Sequence, residues 1–570
     1  MQRTISFLLL LTVVMLATPA GAQVPTGTIV GTVTDPSGAV IQNATVTVTN
    51  KYTGASRVIQ TAETGTFSAP SLPPGTYEVR VEMLGFATNV RSIEVTTGAT
   101  TSVSIAMQVG TAKEIVDVQA EGTTINLESH TVQGVVTRQQ IDNLPLNGRS
   151  FLNLAQLEPG VIVAPGNPAQ FNAQFNVSVL GGPASHTAIT VDGGNIRNPV
   201  EGGTGQNFSQ EVVQEFQLST TNFDLSTGIT AFGAINIVTR GGTNDYHGTG
   251  YFYFRDHNTG AYPSLKRNTI TEDPFFARRQ SGFSIGGPIK KDKLFFFGNF
   301  EYTNQFGVYV VQPDLPSVAG FGTLAPAPYR GKTFGFRIDG RLNEKHSGFI
   351  RYSHDGNSNA GPFGIPVPPS NFVSNKNWVD QYLLGITSVL RPNVVNDFRF
   401  SFGYWQNRNI PAPCVGDVNG NCIGSGGPEI FYLPSVNFAL GNNFNSPQGR
   451  DLRRFPVSDN VSWQLGNHRV KFGGEWEHFS GTGYWGFFDP ARAYLLSPEL
   501  LLGAGVPAAA FPALGLPLKI NTADDLKKLP VAAFLLGIGD RAQPSFHIDK
   551  AKNNERFHLY AQDSFQESWA

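Results

Sequence analysis

The stretch Phe334-Gly335-Phe336-Arg337-Ile338-Asp339-Gly340-Arg341-Leu342 alternates large and small or polar side chains with a period of two. After the turn Asn343-Glu344-Lys345-His346, the same alternation resumes at Gly348-Phe349-Ile350-Arg351-Tyr352-Ser353-His354. A period of two is the signature of a strand, because successive side chains leave opposite faces of the backbone. Further tight links lie at Lys290–Lys293, Arg391–Asn393 and Gly466–His468, all between aromatic-rich segments. The gaps between these hairpins are long and irregular: 257–278, 304–331, 356–377, 409–454 and 481–554. Short turns on one rim and long loops on the other predict an antiparallel barrel that crosses an outer membrane with strands.

Composition supports this reading. Charged residues make up 15% of the chain and aromatics 11%, with 42 Phe and 63 Gly. Soluble domains carry about 25% charge. A wall that meets lipid on one side and water on the other uses apolar, aromatic and small polar residues instead. The net charge of −2 and the lack of a basic face argue against a nucleic-acid partner. Residues 1–22 read as a secretory signal: Arg3, an apolar run from Phe7 to Ala17, and Ala20-Gly21-Ala22 at the cleavage site. The two cysteines, Cys414 and Cys422, share one long loop, where an oxidising compartment favours a local disulfide. Asp417, Asn419 and Asn421 between them lack the full ligand set of a calcium loop, so no metal and no cofactor are expected.

Residues 24–108 hold some seven short strands separated by turn chemistry such as Asp35-Pro36-Ser37-Gly38, and predict a β-sandwich. Thr45-Val46-Thr47-Val48-Thr49 alternates strictly, with one face buried and one wet. The run from Gly31 to Val46, with Leu72-Pro73-Pro74-Gly75-Thr76-Tyr77, resembles the carboxypeptidase regulatory-like domain, which implies a transthyretin-like sandwich. None of the ten histidines has a Glu three residues later, so the zinc peptidase motif does not accompany it. Gly282-Phe283-Ser284-Ile285-Gly286 matches a nucleophile elbow, but the turn at Lys290–Lys293 and another strand follow where a helix is required. The chain is not expected to be an enzyme.

Residues 111–242 read as mixed α/β, with helices at Thr137–Leu144 and Asn147–Leu157 and strands at Ala188–Val191, Val213–Ser219 and Ala234–Thr239. Leu144-Pro145-Leu146-Asn147-Gly148-Arg149-Ser150-Phe151, Thr190-Val191-Asp192-Gly193 and Gly233–Asn244 resemble the plug of TonB-dependent outer-membrane receptors. The order of sandwich, plug and barrel is similar to the Oar-like branch of that family. Asn147, Gly148, Arg149, Asp192 and Gly193 are the plug-motif residues that this resemblance singles out. It also implies a periplasmic TonB-type partner and a segment with which that partner pairs as an added strand. Lys113, Glu114, Ile115, Val116, Asp117 and Val118, between sandwich and plug, are the candidate box. Phe295-Phe296-Phe297 reads as interface belt and lipid contact, and His186 as a loop residue.

Residues 243–570 then form a partial barrel of about ten strands, whereas plugged transporters have about 22, so the expectation is the first half of a barrel. The resemblance implies uptake of a siderophore, cobalamin, glycan or peptide across the outer membrane. Sandwich and plug would lie on the periplasmic side and the long loops outside. Neutral Gly/Asn/aromatic loops lean towards carbohydrate or peptide. The rival reading is an adhesin or secretion-linked barrel whose sandwich binds a partner without import.

Overall fold

The computed structural model describes residues 26–110, 115–119, 132–144, 146–165, 175–197, 203–221, 225–227, 232–260, 273–311, 323–362, 369–411, 429–433, 438–440, 446–466, 468–487, 492–495, 507–514, 539–542 and 545–565, with a few single positions besides. The chain is mainly β. Seven strands between Gly27 and Ala106 make the sandwich. One sheet has the order Thr66–Leu72, Gly27–Thr34, Thr100–Ala106. The other runs Ser56–Gln60, Thr45–Asn50, Gly75–Glu82, Thr88–Val95 and adds Ile115–Gln119 at its edge. The threonine-valine alternation does what its pattern requires: Val46 and Val48 point into the core with Ile29, Phe67 and Val79.

The second unit is built on a five-stranded sheet ordered Gly194–Asn195, Ala188–Val191, Ala234–Thr239, Val213–Thr221, Val132–Val136. Its apolar core gathers Ile141, Phe151, Leu154, Phe216, Leu218 and Ile235, all within 1% of full burial. Each such side chain contributes on the order of 2 kcal/mol by leaving water. Thr137 caps a short helix at Arg138–Asn143, its backbone N–H donating to the Gln140 side chain at 2.9 Å. The second helix expected at Asn147–Leu157 is instead two 3₁₀ turns, Asn147–Arg149 and Phe151–Leu157. Gly148 (φ 77°) and Arg149 (φ 56°) sit in left-handed conformations that no α-helix accommodates.

From His247 onward the chain forms one large antiparallel sheet. Its ten main strands are His247–Asp256, Phe276–Lys290, Leu294–Val311, Tyr329–Arg341, His346–Gly361, Val373–Arg391, Val394–Pro411, Gln448–Leu465, His468–Phe487 and Ser545–Phe565. A short strand, Thr323–Pro326, pairs beside the third. The strands outrun their sequence limits on the long-loop side. The third continues to Val311 and the fifth to Gly361, so the first residues of the presumed loops are hairpin extensions. Outward-facing Phe252, Phe254, Ile350 and Phe557 are more than half exposed, and the opposite face meets the plug.

Phe295-Phe296-Phe297 corrects the sequence reading. Phe295 and Phe297 are 5% and 3% exposed and face inward, and Arg240 of the plug lies 5.1 Å over the Phe297 ring. Strict alternation allows only Phe296 to turn outward. The sandwich rests on the short-turn rim. The Tyr52 carbonyl accepts from Asn244 N–H at 3.0 Å, and the Asn244 side chain donates to Asp292 at 2.6 Å.

Sandwich and plug meet at Glu215. Its carboxylate is 4% exposed and accepts from the backbone N–H and hydroxyl of Thr97, both at 2.8 Å. Burial raises this carboxyl from 4.5 to about 7, with Glu94 adding to the rise and the Thr97 bonds opposing it. Between these values the folded chain holds a proton that the unfolded chain has released, so stability increases as pH falls through that window. The effect is at most on the order of 3 kcal/mol. The thermal midpoint of the wild type should therefore be higher at pH 5 than at pH 8, and Glu215→Gln should remove that difference. Identical pH profiles for the two proteins would show that this carboxyl does not titrate in the fold.

Candidate plug seat against the barrel wall

The left-handed pair Gly148-Arg149 turns the chain outward so that three consecutive residues touch the sheet. The Asn147 side-chain oxygen accepts from Arg255 at 3.1 Å and Arg278 at 3.2 Å. The Gly148 carbonyl accepts from Gln280 at 3.1 Å. A Cβ at Gly148 would stand 2.7 Å from the flexible end of Arg278, so the position favours glycine chiefly for its left-handed conformation. The Arg149 guanidinium packs over both the Tyr251 and Tyr253 rings, 4.5 and 4.6 Å from their centroids. It donates to Glu211 at 2.7 Å and approaches Glu301 of the wall at 3.6 Å. Tyr251 and Ser209 both donate to Glu301, at 2.6 and 3.0 Å. A buried guanidinium shared by two carboxylates and two aromatic faces keeps its charge without water.

Asp192 is the second anchor. It follows strand Ala188–Val191 in a left-handed conformation (φ 52°), which Asp adopts more readily than most residues, with Gly193 (φ 86°) completing the turn. Its carboxylate is 2% exposed and accepts from the Thr239 N–H at 2.9 Å and the Thr239 hydroxyl at 2.7 Å. Arg337 and Arg351 approach from the wall at 3.1 and 2.7 Å. Burial by itself would raise this carboxyl, but the two guanidinium groups and the Thr239 bonds hold it below the ordinary range. It is therefore ionised and is the counter-charge of the fully buried Arg351, while it shares Arg337 with Asp339, which accepts from that guanidinium at 2.8 Å.

Asn147, Gly148, Arg149 and Asp192 thus touch the sheet at two places, and Gly193 completes the turn that carries Asp192. Their partners Glu211, Glu301, Arg337 and Arg351 escape a sequence reading. The usable signal is a charge at an inward parity position of a strand, as in Phe336-Arg337-Ile338 and Ile350-Arg351-Tyr352. Within the candidate box, Lys113 and Glu114 lie outside the described residues. Ile115, Val116, Asp117 and Val118 belong to the strand Ile115–Gln119, which pairs in parallel with Thr88–Ser92 at the sandwich edge. Cys414, Cys422 and the residues between them lie outside the described residues as well. His186 ends a 3₁₀ turn and stacks on Phe232 at 6.0 Å; no metal-binding cluster occurs among the described residues.

Above the plug, the inner face of Val394–Pro411 presents Trp405, Asn407 and Asn409 in succession, 6%, 0% and 0% exposed. Asn407 donates to Asn377 at 2.6 Å, and Asn377 donates to Asn357 at 3.0 Å across neighbouring strands. The Trp405 indole N–H, the Asn407 oxygen and both Asn409 amide atoms have no hydrogen-bond partner among the described residues.

Residues 238–320 and 308–568 match the family model for an outer membrane beta barrel domain. The chain belongs to this outer-membrane β-barrel family. The barrel is preceded, at residues 28–108, by a match to the carboxypeptidase regulatory-like domain. Over 298 residues this barrel protein is 28% identical to the TonB-dependent transporter Oar of Myxococcus xanthus, covering 49% of the chain and 27% of that relative. The outer membrane transporter YddB of Escherichia coli shares the fold at a TM-score of 0.50 and 10% identity, over 76% of this chain and 54% of that one. The chain therefore spans about a quarter of the curated relative and about half of the solved transporter.

For this outer-membrane barrel, removing the Asp192 charge leaves the buried Arg351 without a carboxylate, while Arg337 keeps Asp339. Asp192→Asn tolerates the left-handed backbone and should still cost about 3 kcal/mol in urea unfolding, because breaking a buried ion pair strands its partners. Adding Arg351→Met should recover part of that loss. A single variant that unfolds like the wild type would show that this charge does not seat the plug. Gly148→Ala should cost about 1–2 kcal/mol from the left-handed conformation. Its urea midpoint checks this, and an unshifted midpoint would contradict it.

Proposed function

We propose that the protein is a TonB-dependent outer-membrane receptor that imports a ligand by rearranging its plug. The observation that carries this reading is a separate α/β unit held against the inner face of a membrane-crossing sheet by buried ion pairs at Arg149 and Asp192. A permanent wall has no need of such a unit. A movable stopper needs directional contacts that are exchanged when it shifts, and buried charge pairs supply them. The Oar relative is itself described as a TonB-dependent transporter, which supports the same reading.

In this proposal a TonB-type periplasmic protein engages residues 113–118. Strand Ile115–Gln119 ends its sheet in the described structure, so one of its edges is available for an added strand. Force applied there reaches the plug through the segment that follows. The ligand class we favour is a neutral, polyhydroxylated molecule such as a glycan. The neutral Gly/Asn/aromatic composition of the long connectors supports this over a highly charged chelate.

Deleting residues 113–118 from the full-length protein is the test. Uptake should be lost while ligand binding at the cell surface remains within about twofold of wild type. A protein that serves only adhesion would keep its function after this deletion, and that result would overturn the import reading.

A further inference from the structure

The outer face of the sheet changes chemistry in register, one rung at a time, towards the long loops. The rung Ile338, Ile350, Leu384, Phe400 and Val457 is apolar throughout. The next, Phe336, Tyr352, Tyr382, Phe402 and Phe455, is a run of aromatic rings with the Tyr352–Tyr382 and Phe402–Phe455 centroids at 4.8 and 5.0 Å. Aromatics that follow an aliphatic band along these five strands mark the edge of the hydrocarbon layer. Beyond it, Phe334, His354, Asp380 and Tyr404 share one rung. Two rungs further out the paired positions are Arg279, Asn304, Arg330, Ser358, Lys376 and Arg408, which include four basic residues and no carboxylate.

The carboxylates of this zone are already engaged. Asp380 accepts from the Tyr352 hydroxyl at 2.7 Å, the Trp378 indole at 2.5 Å and His354 at 2.8 Å. Asp451 accepts from Tyr404, Gln406 and Arg408. Arg330, Lys332 and Lys376, by contrast, are exposed and form no ion pair among the described residues. With a rise of about 3.3 Å per residue and a strand tilt of about 40°, Lys332 and Arg330 stand roughly 5 and 10 Å outside Phe334. Their stems can bend back into the headgroup layer. Arg330 and Lys376 lie two strands apart, roughly 10 Å.

We infer that this basic rung binds the phosphate-bearing headgroups of lipids in the leaflet on the long-loop side. The aromatic boundary places it at headgroup depth, and the unengaged positive charges match anionic phosphate while the neighbouring carboxylates are neutralised. The contact rests on the membrane placement of the sheet and not on ligand import.

The test uses the full chain in mixed micelles with equal amounts of phosphatidylglycerol and phosphatidylcholine of matched acyl chains. Native mass spectrometry reads the ratio of the two lipids retained. The wild type should favour phosphatidylglycerol at least fivefold, and raising the salt should reduce that preference. Arg330→Gln/Lys332→Gln/Lys376→Gln should lower the ratio at least threefold. A short-turn control, Lys290→Gln/Lys291→Gln/Lys345→Gln, should lower it less than 1.5-fold. The inference is overturned if the wild type shows no preference, if salt leaves it unchanged, or if the control loses as much as the outer-rung variant. Should the outer-rung variant fail to fold, the wild-type lipid ratio and its salt dependence still decide.

Discussion

A peptide group in hydrocarbon finds no water to bond, so a chain that crosses a membrane as strands must pair each strand with its neighbours. Everything else in this structure follows from meeting that demand with a twisted antiparallel sheet. The sheet separates two solvents. Its outward parity positions face lipid and carry Phe, Ile, Tyr and Trp, while its inward positions carry Arg, Glu, Asn and Gln. The charge depletion and aromatic excess of the whole chain are the average of these two faces.

An inner wall dense in polar groups must in turn be satisfied, and the α/β unit supplies part of the partners while the wall's own strands supply others. Asp192 answers Arg337 and Arg351, and Arg149 answers Glu301. These pairs are costly to bury and more costly to break singly, which gives the seat a definite position. The same property makes the seat suited to a unit that moves between discrete positions. The sandwich is docked by Thr97 to Glu215 and by the Tyr52 carbonyl to Asn244, which is itself tied to the short-turn rim.

Local pattern was a reliable guide wherever one face of a strand decides its residues. Gly75–Glu82 and Ala234–Thr239 have the limits that alternation and flanking turns indicate, and each short turn of the sheet lies where its polar residues interrupt the aromatics. Pattern misled where a residue's environment comes from far along the chain. Phe295 and Phe297 have the hydrophobicity of a lipid belt, yet they pack against the plug because parity relative to Phe296 assigns them inward. Asn147–Leu157 has helical periodicity, yet its contact with Arg278 and Gln280 requires a left-handed break that propensity does not encode.

From the order of residues alone come the mainly β character, the strand character of the region after Tyr246 and the sorting of its connectors by length. These are set by neighbours within a few residues, where a period of two and turn chemistry act directly. The tertiary structure decided which charges meet, that Ile115–Gln119 lies parallel to Thr88–Ser92 at the sandwich edge, and that basic residues of separate strands share one outer rung. Such juxtapositions join residues tens to hundreds of positions apart. They depend on register and sheet order, and a chain read locally has no means of encoding either.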